Sequence, residues 1–132
     1  GGWLSDQGYA DFAGCGPIHF IGGLAGLIGT IFLGPRKGRF TEKGANWSPS
    51  NVSFIVLGTM ILWLGWYGFN CGSTGALIGA GQTIGRVGVN TTLAATTGAV
   101  TVFYTHAFLN RKNVNKYSVP MLCNGALAGL VS

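Results

Sequence analysis

From Gly44 to Gly85 the chain carries no Asp, Glu, Lys or Arg, and neither does the stretch from Phe12 to Gly34. Runs of this length leave few folds open. A soluble domain keeps about a quarter of its residues charged, whereas here 8% are charged and 48% are hydrophobic. Such a chain lacks the polar side chains to coat a globule. Its 24 glycines are neither periodic nor joined by Ser and Pro, as they are in collagen or a linker. They are scattered among Leu, Ile, Ala and Phe, as in membrane helices whose backbones approach closely. The fold class is all-α: a polytopic transmembrane helix bundle.

The chain opens Gly1-Gly2-Trp3 without an initiator Met and stops at Ser132 inside an apolar run. It has no secretory n-region with a cleavage site. The expectation is that residues 1–132 are an internal fragment of one transmembrane domain. Cys15, Cys71 and Cys123 all lie in apolar segments, with no Cys-x-x-Cys or Cys/His spacing. Free membrane-buried thiols are expected, rather than a disulfide framework or a metal site.

A helix needs about 20 mostly apolar residues to cross the hydrocarbon core. Spans are expected at residues 12–34, 52–72 and 83–109, with a fourth from 118 that is truncated at 132. Thr74 to Gly85 is rich in glycine and reads as a turn, a half-helix or the start of the third span. Basic residues cluster in two loops: Arg36, Lys37, Arg39 and Lys43 within 35–43, and Arg111, Lys112 and Lys116 within 110–117. Short loops rich in Lys and Arg stay cytoplasmic, and two crossings separate these two, so the first span runs from outside to inside. The +5 net charge is this topology signal, and no nucleic-acid partner is implied.

Ionisable side chains within spans mark function by default. His19, between Pro17-Ile18 and Phe20-Ile21, reads either as a pore residue or as a hydrogen bonder in helix packing. His106 falls near the inner end of its span, where an interfacial role is favoured. Asp11 stands at the start of the first span and can accept N–H groups that the first turn leaves unpaired, a better account than cation ligation. On the second span Trp66, Phe69 and Ser73 fall within about 60° of one another at 100° per residue. Its outer end, Asn70-Cys71-Gly72-Ser73, is small and polar. Ser73 to Trp66 is about 10 Å along a helix and Asp11 to His19 about 12 Å, so on antiparallel spans Trp66 and His19 are expected at similar depth. Gly22, Gly26 and Gly29, with Ala25, are expected to let a neighbouring helix approach the first span.

Several blocks now point to a family. Asp11-Phe12-Ala13-Gly14-Cys15, with Ile18-His19, Gly22-Gly23, Gly26-Leu27, Ile31-Phe32 and Gly34-Pro35-Arg36, resembles the signature stretch of the ammonium transporter (Amt/Mep/Rh) family. Gly65-Trp66-Tyr67-Gly68-Phe69-Asn70-Cys71-Gly72-Ser73 is similar to the family's Gly-Trp-Phe-Gly-Phe-Asn-x-Gly-Ser element. Asn90-Thr91-Thr92 with Ala94-Ala95, and the run Cys123-Asn124-Gly125 to Val131, resemble two further blocks. The match covers nearly the whole chain and favours the Amt branch.

The resemblance implies helices five to seven and part of eight of an eleven-helix, homotrimeric fold in the cell membrane. It implies that His19 is the first of two pore histidines, Phe69 a ring of the phenylalanine gate and Trp66 a lumen wall residue. Ser73, with Asn70 beside it, belongs to the outer recruitment site, and Asp11 orders that vestibule. The implied function is ammonium transport: NH4+ is recruited at an aromatic and hydroxyl site, and ammonia is conducted through a hydrophobic, histidine-lined pore. Methylammonium is the expected analogue, the lipid bilayer the expected surrounding, and no cofactor or metal is implied. The alternatives are an ammonium sensor with the same pore or another small-solute channel. A membrane-embedded enzyme using His19 as a base lacks a partner at recognisable spacing, and the Asn-Pro-Ala repeats of water and glycerol channels are absent.

Overall fold

The computed structural model of the protein describes residues 2–40, 48–114 and 116–131. Among them every regular element is helical, and the chain falls into two units, Gly1–Ser50 and Asn51–Ser132. Lys43, and with it the end of the first basic loop, lies outside the described residues.

The first unit begins with a single turn, α1 (Trp3–Asp6). The expected span does not then start as one helix at Phe12. Gly14 sits at φ 88° and ψ 26°, in the left-handed region that only glycine enters without strain. The chain winds as a π-helix over Cys15–Phe20 before settling into α2 (Ile21–Leu33). Ile21 N–H reaches back five residues to the carbonyl of Gly16. Pro17 lies in this opening turn, where its missing N–H is least needed. The eight residues from Asp11 to His19 are therefore not a continuous α-helix, and the rise of about 12 Å expected of one does not apply to them. At the other end Gly34, at φ 68°, donates to Thr30 O at 3.0 Å, and Pro35 follows, a common helix stop.

The second unit packs three helices together. Asn51 caps α3 (Val52–Gly72): its side-chain oxygen accepts from Ser53 N at 2.9 Å and Phe54 N at 3.3 Å. The helix has the bounds expected of the second span. The glycine-rich stretch after it is a loop, and α4 (Gly81–Leu109) starts only at Gly81. Ser118 opens α5 (Val119–Val131), its hydroxyl accepting from Met121 N at 3.4 Å, with Pro120 in the first turn.

The core of this unit is built from small side chains. Ala95, Ala99, Cys123, Ala126 and Leu130 are buried. A Cβ added to Gly98 would come within 2.5 Å of Gly125 O, and one added to Gly125 within 2.5 Å of Gly98 O. At Gly129 it would run into the carbonyl of Ala94. The two backbones of α4 and α5 thus touch, and Gly125-x-x-x-Gly129 is the spacing that puts both glycines on one helix face. The expected close-packed face of the first span looks different: Gly22, Gly26 and Gly29 have open space where a Cβ would stand.

Two helical stretches, Cys15–Leu33 and Val52–Gly72, are long and apolar enough to cross a membrane. Helix α4, at 29 residues, is about 43 Å long but is diluted by threonines. Their hydroxyls bond within the helix: Thr92 to Gly88 O at 2.9 Å, Thr96 to Thr92 O at 2.9 Å and Thr97 to Leu93 O at 2.7 Å. Each such bond hides a polar group that lipid could not satisfy.

Candidate functional site

The face of α3 singled out by its periodicity is intact to its last turn. Trp66 and Phe69 lie with ring centroids 6.2 Å apart, tilted by 43°. Trp66 is half-buried and Phe69 is 37% exposed. Four residues on, Ser73 ends the helix with φ −66° and ψ −8°. Its hydroxyl donates to Phe69 O at 2.7 Å, and its N–H is shared between Phe69 O at 3.2 Å and Asn70 O at 3.3 Å. A serine hydroxyl has one hydrogen and two lone pairs. With the hydrogen committed to the helix, Ser73 turns an acceptor outward at the negative end of the helix dipole. That end favours a cation by about 0.3–1 kcal/mol.

Asn70 is placed differently. Its amide nitrogen donates to Thr91 Oγ1 at 3.0 Å and to Leu130 O at 3.2 Å, so both its hydrogens tie α3 to α4 and α5. It supports the neighbouring face from behind.

In the first unit Asp11 works as a cap from outside the helix. Its Oδ1 accepts from Gly14 N at 2.8 Å and Cys15 N at 2.9 Å, and its Oδ2 from Gly16 N at 2.8 Å and the Tyr9 hydroxyl at 3.4 Å. Four donors occupy the carboxylate. Desolvation pushes its pKa up, but the three backbone N–H bonds and Tyr9 outweigh it and hold the carboxyl below its usual value. Burial, and then the negative charge of Asp11, raise the Tyr9 hydroxyl in turn. The reading of Asp11 as a cap of the first turn is what the structure contains, with the cap reaching over Gly14 to the π segment.

His19 is half-buried in that π segment, a winding that is uncommon and concentrates at functional sites. His106, in the last turn of α4, places Nδ1 3.0 Å from Lys116 O, which pins the return towards α5. No grouping of His, Cys, Asp and Glu that could hold a metal ion occurs among the described residues. Sequence reasoning missed the π segment and the glycine contact between α4 and α5. Pro17 directly after Gly14-Cys15-Gly16 signalled the first, and the Gly125-x-x-x-Gly129 spacing the second.

Comparison with known proteins places the chain in a family. The chain matches the model of the Ammonium Transporter Family over residues 1–132. It is 40% identical to ammonium transporter 1 member 1 of Arabidopsis thaliana over 100% of its own length and 28% of that protein. It is 41% identical to the ammonium transporter Amt2 of Archaeoglobus fulgidus over 100% of its length and 30% of that protein. The chain therefore spans less than a third of these relatives. No solved structure matches it. The helical architecture, the apolar spans and a family match from end to end lead to one conclusion: the chain belongs to the Ammonium Transporter Family and is part of an integral membrane helix bundle.

Proposed function

We propose that the protein to which this chain belongs carries ammonium, or ammonia derived from it, across the cell membrane. The observation that carries the reading is Ser73, a hydroxyl whose hydrogen is spent on Phe69 O, one and two turns beyond the paired rings of Phe69 and Trp66 on the same helix face. Ammonium has four N–H donors and a positive charge. The rings attract the charge, each by about 0.5–2 kcal/mol depending on desolvation, and the Ser73 oxygen takes one N–H. Potassium has no hydrogen to donate, so hydroxyl geometry distinguishes two cations of similar size.

Beyond such a mouth an apolar lumen opposes charge. A neutral imidazole offers one donor and one acceptor and can relay a proton, and this is the role assigned to His19. Asp11 and Asn70 hold the surrounding backbone in place. Helices α4 and α5 are assigned to the third and fourth spans, the loops at 35–43 and 110–117 to the cytoplasmic side, and the assembly is a homotrimer in the lipid bilayer. The chemistry is passage, with no bond made or broken besides those to protons. The test is uptake of labelled methylammonium, with current recorded, in liposomes holding the full-length protein. Saturable uptake that ammonium inhibits and potassium does not is the expected result. Ammonium binding without flux would identify a sensor, and permeation by glycerol or water without ammonium selectivity a general channel.

A further inference from the structure

About 90° around α3 from Trp66, Phe69 and Ser73, a line of hydrogen bonds crosses to α4, and conduction as described above makes no use of it. Trp63 Nε1 donates to the Tyr67 hydroxyl at 3.1 Å, that hydroxyl lies 2.7 Å from Thr92 Oγ1, and Thr92 Oγ1 donates to Gly88 O at 2.9 Å. The direction follows from the hydrogens available. An indole N–H only donates, and the single hydrogen of Thr92 goes to Gly88. The arrangement that uses every hydrogen runs one way, from Trp63 through Tyr67 and Thr92 to Gly88, and Tyr67 is its hinge. One helical turn further along α3, Asn70 makes its own bond to the adjacent Thr91, at 3.0 Å. Trp63, Tyr67 and Asn70 share one helix face within about 60°, and two neighbouring bonds on one face resist rotation of α3 about its axis.

We propose that Tyr67 is a positioning residue: through Trp63 and Thr92 its hydroxyl sets the rotation of α3 and so the placement of Trp66, Phe69 and Ser73. The inference rests on the ammonium-transport reading for its consequence, although the bonds themselves do not. The Tyr67 hydroxyl is not among the groups assigned to conduction above. Its removal leaves the Trp63 N–H to find another acceptor where water is scarce. A small turn of α3 towards one would move the rings that contact the substrate, and discrimination between ammonium and its bulkier analogue is what such a turn changes first.

The test uses the full-length protein in liposomes at matched abundance, as wild type, Tyr67→Phe, Thr92→Val and the double variant. Each single substitution should shift the ratio of methylammonium to ammonium uptake by about threefold to tenfold, the size of one lost hydrogen bond. The double variant should shift it no further, because both changes break the same link. A purely structural role would lower abundance or thermal stability and leave the ratio alone. An unchanged ratio in Tyr67→Phe, or shifts that add in the double variant, would overturn the proposal. Should wild type carry no ammonium at all, the transport reading fails, and the positioning claim is read without flux. For this, Ser73→Cys is placed in a full-length background with Cys15, Cys71, Cys123 and every cysteine outside these residues replaced by alanine, and labelled with a methanethiosulfonate carrying an ethylammonium group. A labelling rate altered by Tyr67→Phe upholds the positioning claim, and an unaltered rate ends it.

Discussion

The Ser73 hydroxyl gives its hydrogen to the carbonyl of Phe69, 2.7 Å away and one turn back along α3. This bond decides what the end of the helix shows to its surroundings. Without it the hydroxyl could offer its hydrogen outward and donate to an anion or a carbonyl. With it, the hydroxyl has only lone pairs left to offer, on the helix face that also carries Trp66 and Phe69. Three features with one electrostatic preference meet in the last two turns of one helix.

Removal of that oxygen should weaken recruitment and spare the later steps. Ser73→Ala is expected to raise the apparent KM for ammonium about tenfold, the equivalent of about 1.5 kcal/mol for a hydrogen bond to a charged donor, with Vmax little changed. Ser73→Thr keeps the oxygen and should stay near wild type. Concentration-dependent uptake at equal abundance reads both, and an unchanged KM in Ser73→Ala would remove the hydroxyl from the site.

Asp11 makes a pH prediction whose sign follows from its hydrogen bonds. The folded chain holds the carboxyl below its usual 3.8, so across that window the unfolded chain binds more protons. The stabilisation is complete above the ordinary carboxyl value and is lost as pH falls through the lowered one. Thermal unfolding of the purified full-length protein should therefore show stability falling as pH drops below about 4. Asp11→Asn should be less stable at neutral pH and flatter over that range. An asparagine can keep the bonds from Gly14 and Cys15, but its amide NH2 would then face the Gly16 N–H as a second donor. Equal stability and an equal acid slope in the variant would show that the cap contributes nothing.

The glycines differ in what a methyl group would meet. At Gly129 it runs into the backbone of Ala94, whereas at Gly26 it meets open space. Gly129→Ala should force α4 and α5 apart and destabilise the protein by about 1–3 kcal/mol, seen as lower abundance and melting temperature in detergent. Gly26→Ala should cost less, because the gain in helix propensity of about 0.8–1 kcal/mol is not opposed within these residues. The reverse order would place the tight contact on α2.

How much of this was legible depends on which physical signal each element leaves. Helix α3 was readable because lipid demands a long apolar run, and residues 52–72 are dense in Ile, Leu, Val and aromatics. The face with Trp66, Phe69 and Ser73 was readable because helical period alone brings the three together. The start of the first span was not, since Gly14, Gly16 and Pro17 permit several windings and the choice falls to four hydrogen bonds onto Asp11. The bonds of Asn70 were not legible for a related reason. A polar residue beside a binding motif looks like part of it, and only the positions of Thr91 and Leu130 reveal that its amide is engaged elsewhere. The fit of Gly98 against Gly125 and Gly129 needs two helices in register, and no single helix encodes that distance.

His19 gives the prediction that separates a transporter from its rivals. It is the only ionisable side chain between Cys15 and Leu33, and it sits where the π winding inserts an extra residue before α2 begins. If it lines the path of a deprotonated substrate, His19→Ala takes away the donor and acceptor that ammonia would use in an apolar lumen. One unmet hydrogen bond there costs about 1–3 kcal/mol, so flux should fall about fivefold to a hundredfold. The recruitment face on α3 is untouched, and ammonium binding at the outer surface should persist. A lumen without the His19 imidazole also loses one of the groups that hold back or relay the proton, so the current carried per methylammonium taken up should change, with potassium or sodium tested as leak ions. The measurement is methylammonium uptake and current in liposomes with wild type and His19→Ala at equal abundance. Reduced or electrically altered flux with retained binding places His19 in the conduction path. Identical uptake, current and cation selectivity would make it a helix-packing residue, and absence of flux in both forms would point to a sensor.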